Sequence, residues 1–424
     1  MPGAEAATDA ARVMVDHLFR SRAGQMVAYL TRIFGPAHLD LAEEVVQDAL
    51  VKALQQWPFS GIPNNPGGWL FRVARNGALD VLRRHASFQE KAAALASELA
   101  SPAPSEADDT TLSDDELRMV FMCCHPAIPQ DSRVALSLKT VGGFSVAEIA
   151  RAFLTADATI AQRLVRAKRQ IRDLGIQLEL PATDGFADRL DSVLEVIYLL
   201  FNEGYGARSG VELIRVDICG EALRLGRLVA DSPATTAPAA HALVALMAFQ
   251  AARLPARVDA AGELVLLEDQ DRSLWDARLI ALGFHHFDRS SEGPRKSTYH
   301  VQAAIAAVHA GATGAADTAW DRILCLYDEL LAMTHSPVVA LNRAVALSRV
   351  HGPAAALEVI APLENAPALA GYYLLPSVKA RLLADIGDHS SAAASYRDAL
   401  SRSCTEPERR FLIRRLCASD PTYP

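Results

Sequence analysis

The sequence predicts an all-α protein, and three observations carry that reading. Half of the 424 residues are apolar while only 6% are aromatic, a balance that favours closely packed helices over sheets. Apolar residues recur at three- and four-residue intervals along most of the chain. No convincing succession of alternating strands occurs; the best strand candidate, "GELVLLEDQD" at 262–271, is short.

Bulk composition sets the frame. The length allows roughly two to four domains. With 42 basic and 50 acidic side chains the formal charge is −8, so indiscriminate nucleic-acid binding is disfavoured. Residues 1–180 carry 19 basic and 21 acidic side chains and the remainder 23 and 29, so any DNA contact must be focal. The six cysteines follow no framework spacing, which reads as free thiols in a reducing compartment. The first residues have no basic-then-apolar leader, and no uninterrupted apolar run approaches about 18 residues. The expectation is a cytoplasmic protein without a membrane partner.

Composition shifts divide the chain into a helical module over 10–88, a linker over 89–112, a second helical module over 113–178, and an α-helical extension over 186–424. The linker region is small, acidic and Pro/Ser-bearing, as in "SELASPAPSEADD".

In the first module, "HLDLAEEVVQDALVKALQQWP" (38–58) is an amphipathic helix. Asp40 and Glu43 are positioned to cap it. Val45, Ala49, Leu50, Ala53, Leu54 and Trp57 are its apolar residues, and Glu43, Glu44, Gln47 and Asp48 form an acidic outer face. "NPGGWLFRVARNGALDVLRRH" (65–85) follows and presents Trp69, Arg72, Arg75, Asn76, Arg83 and Arg84. Interleaved aromatic and basic residues suit single-stranded DNA, where bases stack while cations hold the backbone. A core tryptophan with snorkelling arginines fits the same stretch.

In the second module, "GGFSVAEIARAFLTADATIAQRLVRAKRQIR" (142–172) reads as two helices joined by a tight turn. Ser145 and Glu148 make a capping box. Thr155 or Asp157 caps the second helix. Ile160, Leu164, Ala167, Ile171 and Leu174 form its buried stripe, and Gln162, Arg163, Arg166, Arg169 and Gln170 lie mostly on other faces. This is the layout of a helix-turn-helix, in which arginine is suited to guanine edges and phosphates. Taken alone, the same residues also describe a solvated basic face. Leu154 occupies the turn position where glycine is common, which predicts a different turn geometry.

An acidic helix, a basic-aromatic helix, an acidic linker and a terminal helix-turn-helix, in that order, resemble the extracytoplasmic-function sigma factors of bacterial RNA polymerase. "DLAEEVVQDAL" looks like their region two core-binding helix, "GGWLFRVARNGALDVLRR" like the segment that reads the minus-ten element, and "FSVAEIARAFLTADATIAQRLVRAKRQIR" like region four. "MCCHPAIP" ahead of the helix-turn-helix and "LFNEGY" after it, with the long helical tail, resemble a subgroup bearing a tetratricopeptide-like extension.

The resemblance implies a promoter-specificity subunit with no cofactor, no metal and no catalytic residues. Its partners would be promoter DNA and core polymerase, through the beta-prime clamp helices and the beta flap. Glu44, Gln47 and Asp48 would meet the clamp helices. Trp69, Arg72, Arg75 and Asn76 would contact the opened minus-ten strand, with the loop 59–65 holding a flipped base. Thr159, Gln162, Arg163 and Arg166 would contact the minus-thirty-five duplex. Ala161 stands where family members often carry lysine, and the acidic linker would thread the RNA channel.

The extension hints at a repeat. Gly352 and Gly387 each precede a helix and lie 35 residues apart, close to the tetratricopeptide period, and Gly387, Ala392, Tyr396 and Ala399 match that repeat's turn glycine and packing positions. An irregular helical domain is the alternative. The extension could act on the DNA-reading modules in cis or offer a helical groove to an unknown protein or ligand. "LFNEGY" and "EDQDRSLWD" (268–276) mix charges with aromatics and read as buried helix caps, with an interface or ligand cleft as the alternative. "FMCCHP" (121–126) reads as a packed helix end rather than a metal or thiol-sensing site, since adjacent residues on a helix diverge by about 100°. The pair His285–His286 is a weak ligand candidate, and Asp114–Asp115–Glu116 reads as a helix start. No Walker loop, dinucleotide fingerprint or GxSxG motif occurs. The rival functional class is a one-component helix-turn-helix regulator with a helical sensor domain.

Overall fold

A computed structural model of the chain describes residue 14 and residues 22–84, 109–153, 155–182, 185–206, 214–259, 262–293, 295–421 and 423. Leu154 and most of the acidic linker lie outside the described residues. The described residues are helical almost throughout, and "GELVLLEDQD" forms no strand. Its only ladder element is an isolated bridge between Val258 and Leu264. Contacts divide the chain into two units, residues 1–199 and 200–424.

The first unit opens with α1 (22–34), α2 (Leu39–Ser60) and α3 (Pro66–Arg84). The apolar period of α2 predicts its buried face, and Val45, Ala49, Leu50, Ala53 and Trp57 are all buried. Leu54 instead points outward and is 43% exposed. Tyr29 of α1 packs on Phe71 of α3 with ring centroids 5.0 Å apart. Neither expected cap of α2 forms; the helix begins after His38 without a side-chain cap.

Four further helices follow: α4 (Asp109–Cys123), α5 (Gln130–Thr140), α6 (Val146–Ala152) and α7 (Asp157–Asp173). The Ser145–Glu148 capping box is present in both directions, at 3.1 and 2.8 Å. α7 starts after Ala156 with no side-chain cap, so neither Thr155 nor Asp157 plays that part. Its stripe of Ile160, Leu164, Ala167 and Ile171 is buried, but Leu174 lies past the helix end and is 59% exposed. α8 (Phe186–Tyr205) begins in this unit. There Arg189 donates to the Phe121 carbonyl and Ser192 to the Cys124 carbonyl, so α8 satisfies carbonyls left over at the end of α4.

The second unit continues with α9 (Val216–Asp231), α10 (Pro238–Ala251), α11 (Ala277–Ser290) and α12 (Thr298–Gly311). The stretch Pro238–Ala256 is long and apolar enough by composition to cross a membrane, but 72% of it is buried inside the fold. α9, α11 and α12 pack around α10, which therefore is apolar on every side. Gly283 of α11 permits a close approach: a Cβ there would lie 2.6 Å from the Phe249 ring.

The chain then runs through α13 (Trp320–Thr334), α14 (Pro337–His351), α15 (Pro353–Ile360), α16 (Leu374–Asp385), α17 (His389–Ser401) and α18 (Glu406–Ser419). Each packs on the next in order, as short helical connections dictate. Gly352 and Gly387 enter their turns at φ 88° and 86°, a region that favours glycine. Ala392, Tyr396 and Ala399 are all buried, and Tyr396 and Ala399 pack with Ala380 of α16 and Leu412 and Leu416 of α18.

Candidate polymerase and nucleic-acid interface

Helix periodicity aligns Glu44, Gln47, Asp48 and Val51 on one face of α2, and all four are exposed. Val51 is 48% exposed and Leu54, at the edge of the same face, 43%. The face is thus acidic with apolar side chains at its C-terminal end, a composition suited to a protein surface.

Beyond Gly61, whose φ is 81°, the chain turns back into α3. Phe59 stands at this turn with its ring 91% exposed. Asn65 ties off the start of α3: its side chain accepts from the Gly68 amide at 2.7 Å, and its carbonyl accepts from the Trp69 amide. Trp69 is half-buried and meets the fully buried Trp57 edge-on, with centroids 5.4 Å apart. Arg72 and Asn76 are exposed and Arg75 is half-buried. Spacings of three, six and seven residues put all three near Trp69 on one side of α3.

On α7, Gln162 and Arg166 are exposed and Thr159 and Arg163 half-buried, and their spacings place them on one face. Arg163 is not idle there. It pairs with Asp131 of α5 at 3.1 Å. Arg169 is joined to Asp173 at 3.6 Å along the same helix.

Lys168 lies on the opposite side of α7 from Thr159, about 180° around the helix. It donates to Asp40 at 2.6 Å and Glu43 at 2.8 Å, both at the start of α2. Thr140 of α5 donates to the same Glu43 at 2.9 Å. The two residues expected to cap α2 therefore bind α7 and α5 instead. Burial by itself would lower the Lys168 pKa, but the Glu43 and Asp40 carboxylates outweigh it and raise it above the ordinary lysine value.

A second set of contacts closes the same interface. Asp115 of α4 is fully buried, takes Arg32 of α1 at 2.9 Å, and also takes Arg118 at 2.9 Å. Burial raises its pKa, and the two arginines recover only part of that shift. Gln25 donates to Glu116 at 3.2 Å. Asp115 and Glu116 are thus interior, interface-forming residues of α4 and not the helix start that the sequence suggests. Gly24 of α1 lies against the Val141 backbone so closely that a Cβ would fall 2.1 Å from its carbonyl oxygen. In this closed arrangement the first and second modules share one interface, while the outward faces of α2, α3 and α7 remain open.

The cysteine-histidine run behaves as a packed helix end. Cys123 and Cys124 are buried. Burial drives both thiol pKa values up, that of Cys124 to about 11. The His125 Nδ1 accepts from the Ala127 amide at 3.1 Å. The histidine pair at 285–286 holds more than its sequence promised. Buried His286 meets buried His241 through their Nδ1 atoms at 2.8 Å, and its Nε2 lies 3.8 Å from Asp231. Asp231, His241 and His286 are the one group of that kind among the described residues that could hold a metal ion. Burial lowers both imidazole pKa values, that of His286 to about 4, so the pair forms a neutral hydrogen bond. The sequence carries no signal that brings position 241 to position 286.

Comparison with known proteins matches residues 18–88 to sigma-70 region 2 and residues 118–171 to sigma-70 region 4. Residues 189–291 match a family of unknown function, DUF6596. An uncharacterized protein of Rhizobium meliloti is 39% identical over 94% of both chains. The probable RNA polymerase sigma factor RfaY of Xanthomonas campestris is 31% identical over 31% of this chain and 33% of its own. The ECF RNA polymerase sigma factor SigE of Mycolicibacterium smegmatis is 26% identical over 37% of this chain and 60% of its own. No solved structure matches.

Proposed function

We propose that this chain, which belongs to the sigma-70 family of RNA polymerase sigma factors, rests with its two promoter-reading modules clasped together and opens when core polymerase docks. As a sigma factor it acts in transcription initiation, bringing core polymerase to promoters. The proposal assigns the individual contacts. The α2 face of Glu44, Gln47 and Asp48 takes the beta-prime clamp helices, with Val51 and Leu54 as its apolar anchor. The α3 side of Trp69, Arg72, Arg75 and Asn76 takes the melted minus-ten strand. Thr159, Gln162, Arg163 and Arg166 enter the minus-thirty-five major groove. The site of action is the cytoplasm, no catalytic step is involved, and the C-terminal unit regulates the outcome.

The observation that carries this reading is the pairing of Lys168 with Glu43 and Asp40. The two promoter elements lie about two helical turns apart, roughly 70 Å. Modules joined face to face cannot read both at once. The chain between Arg84 and Asp109 can span on the order of 80 Å when extended, enough for separation once the clasp opens. The formal charge of −8 fits weak binding of duplex DNA by the free chain.

The decisive experiment combines the full chain with core polymerase and a fragment library of promoter DNA. Co-elution with core and initiated transcripts from a subset of fragments are expected. Failure to co-elute, or equally tight duplex binding without core, overturns the reading. The role of the C-terminal unit is tested by removing residues 207–424. A cut at 186 would also strip Arg189 and Ser192 from the end of α4. A change in promoter output is expected, and unchanged output argues against regulation in cis.

A further inference from the structure

The segment 262–270 of the second unit is built unlike the loops around it. Its sequence, Gly-Glu-Leu-Val-Leu-Leu-Glu-Asp-Gln, places four consecutive apolar residues between two glutamates. It lies against the C-terminal helices without joining a helix or sheet. Glu263 pairs with Arg410 of α18 at 3.2 Å and also with Arg414 of α18. Glu268 pairs with Arg381 of α16 at 2.6 Å and also with Arg349 of α14. Arg410 additionally donates to the Gly262 carbonyl at 3.3 Å. Each end of the strap is therefore held by a pair of arginines that reach from elsewhere in the chain.

Its middle is held by backbone contacts: Leu264 bridges Val258, and the Val265 amide donates to the Arg257 carbonyl at 2.9 Å. Leu264, Val265, Leu266 and Leu267 are all only half-buried. A cavity of about 210 Å³ opens beside Leu266 and Leu267, walled by His309, Trp320, Val345 and Arg349. Another, of about 330 Å³, opens beside Leu264 and Val265 against Phe411 and Arg415. Both cavities open to solvent, so the segment leaves part of the surface it covers unfilled. His309 is only 8% exposed, and among the described residues its Nδ1 makes no hydrogen bond. This buried polar atom, on a residue that lines the first cavity, has a hydrogen bond that the fold leaves unmade.

We propose that the arginine-bordered groove along α14, α16 and α18 is a docking site for an acidic, aliphatic segment of a partner protein, with residues 262–270 occupying it as an internal stand-in. Charge selects the occupant. Arg349, Arg381, Arg410 and Arg414 face the strap, and the nearby acidic contact is Asp385, 3.9 Å from Arg381. With the strap displaced the groove is strongly cationic. Its fit is to two carboxylates five residues apart, on a backbone that turns over 267–269, with aliphatic side chains between them. The arginine–carboxylate pairs are partly exposed, so each holds weakly enough for a better-filling segment to replace it. The inference rests on the second unit alone and stands apart from the promoter-reading proposal.

The test uses the full chain and a fluorescent synthetic peptide of the sequence GELVLLEDQD. The variant Glu263→Gln/Glu268→Gln releases both ends of the strap. It is expected to bind the peptide at least tenfold more tightly than the unaltered chain, read by fluorescence anisotropy. Adding Arg349→Ala/Arg381→Ala is expected to reverse the gain, as is replacing both peptide glutamates by glutamine. Equal binding by released and unaltered chains, or by charged and neutral peptides, overturns the proposal. Should the released variant lose its helical circular dichroism, hydrogen exchange on the unaltered chain gives the answer. Excess peptide is expected to accelerate exchange over 262–270 and leave α10 unchanged; no acceleration means that the strap is a fixed part of the fold.

Discussion

Lys168, on the helix proposed to read the minus-thirty-five duplex, donates at 2.8 Å to Glu43, 125 residues earlier and one position before the exposed Glu44 of α2. Lys168 is 13% exposed and Glu43 11%. A charge-assisted hydrogen bond this sheltered contributes about 1.5–3 kcal/mol. That is enough to set the balance between clasped and separated modules, since each 1.4 kcal/mol is a factor of about ten.

Lys168→Ala should therefore raise affinity for core polymerase by about tenfold, because less free energy goes into opening. The lysine pKa is raised in the folded protein, so its contribution is complete below the unfolded lysine value and is lost only as pH rises through the still higher folded value. Core affinity is expected to show no lysine-dependent change between pH 6 and 9. Titration calorimetry across that range checks both statements, and unchanged affinity in the variant removes the clasp from the mechanism.

Gly24→Ala tests the same interface without altering charge. The added Cβ would fall 2.1 Å from the Val141 carbonyl oxygen, a backbone atom that cannot swing aside. Overpacking of this kind costs about 1–3 kcal/mol. The expected result is easier separation of the two modules, seen as a longer distance between fluorophores on α3 and α7. An unchanged distance would show that the backbones yield together.

Arg163 sits in a choice between two partners. Arg163→Ala should cost about 1–3 kcal/mol of discrimination at one promoter position if the guanidinium reads a base. If it touches phosphate alone, the loss is uniform across sequences and the salt slope shrinks. Asp131→Asn should do the reverse, since it frees Arg163 from its 3.1 Å pairing. A panel of promoter variants transcribed by each protein separates these outcomes.

Acid should weaken the second unit through its histidines. Burial holds the pKa of His286 and of His309 down to about 4. Above the unfolded value near 6.5 neither state is charged, so these groups leave stability unaffected there. Below it the unfolded chain takes protons that the folded chain refuses, and stability falls until about pH 4. Thermal melts should lose several degrees across that window. The double variant His286→Asn/His309→Asn should show a shallower slope, and an unchanged slope would place the acid response elsewhere.

Thiol chemistry should follow burial. Cys123, Cys124 and Cys219 are buried and their pKa values are raised, to about 11 for Cys124 and about 12 for Cys219. Cys325 is exposed. Alkylation of the native protein at pH 8 should label Cys325 well ahead of those three. Early loss of Cys123 or Cys124, mapped by mass spectrometry, would reopen a sensing role for that run.

Much of this was legible in the residues. The Ser145–Glu148 box, the buried stripe of α7 through Ile171, and the exposure of Glu44, Gln47 and Asp48 all follow from neighbours within one or two helical turns. Such features are settled by helical geometry, whatever the rest of the chain does. Charged residues near helix starts were harder to place. Asp40 and Glu43 look like caps, and Asp115 and Glu116 like a first turn, because the sequence displays a carboxylate but not its partner.

By itself the sequence determined an all-α chain, the order of its acidic, basic-aromatic and helix-turn-helix segments, and the faces those helices present. Tertiary structure alone decided that Lys168 closes on Glu43, that Asp115 is buried between Arg32 and Arg118, that His241 meets His286, and that Glu263 and Glu268 are claimed by arginines 81 to 151 residues further along. The physical reason is range. Helix periodicity and capping are fixed by backbone geometry over a few residues, whereas a charge or an imidazole takes whichever partner the packing of distant helices brings within about 3 Å.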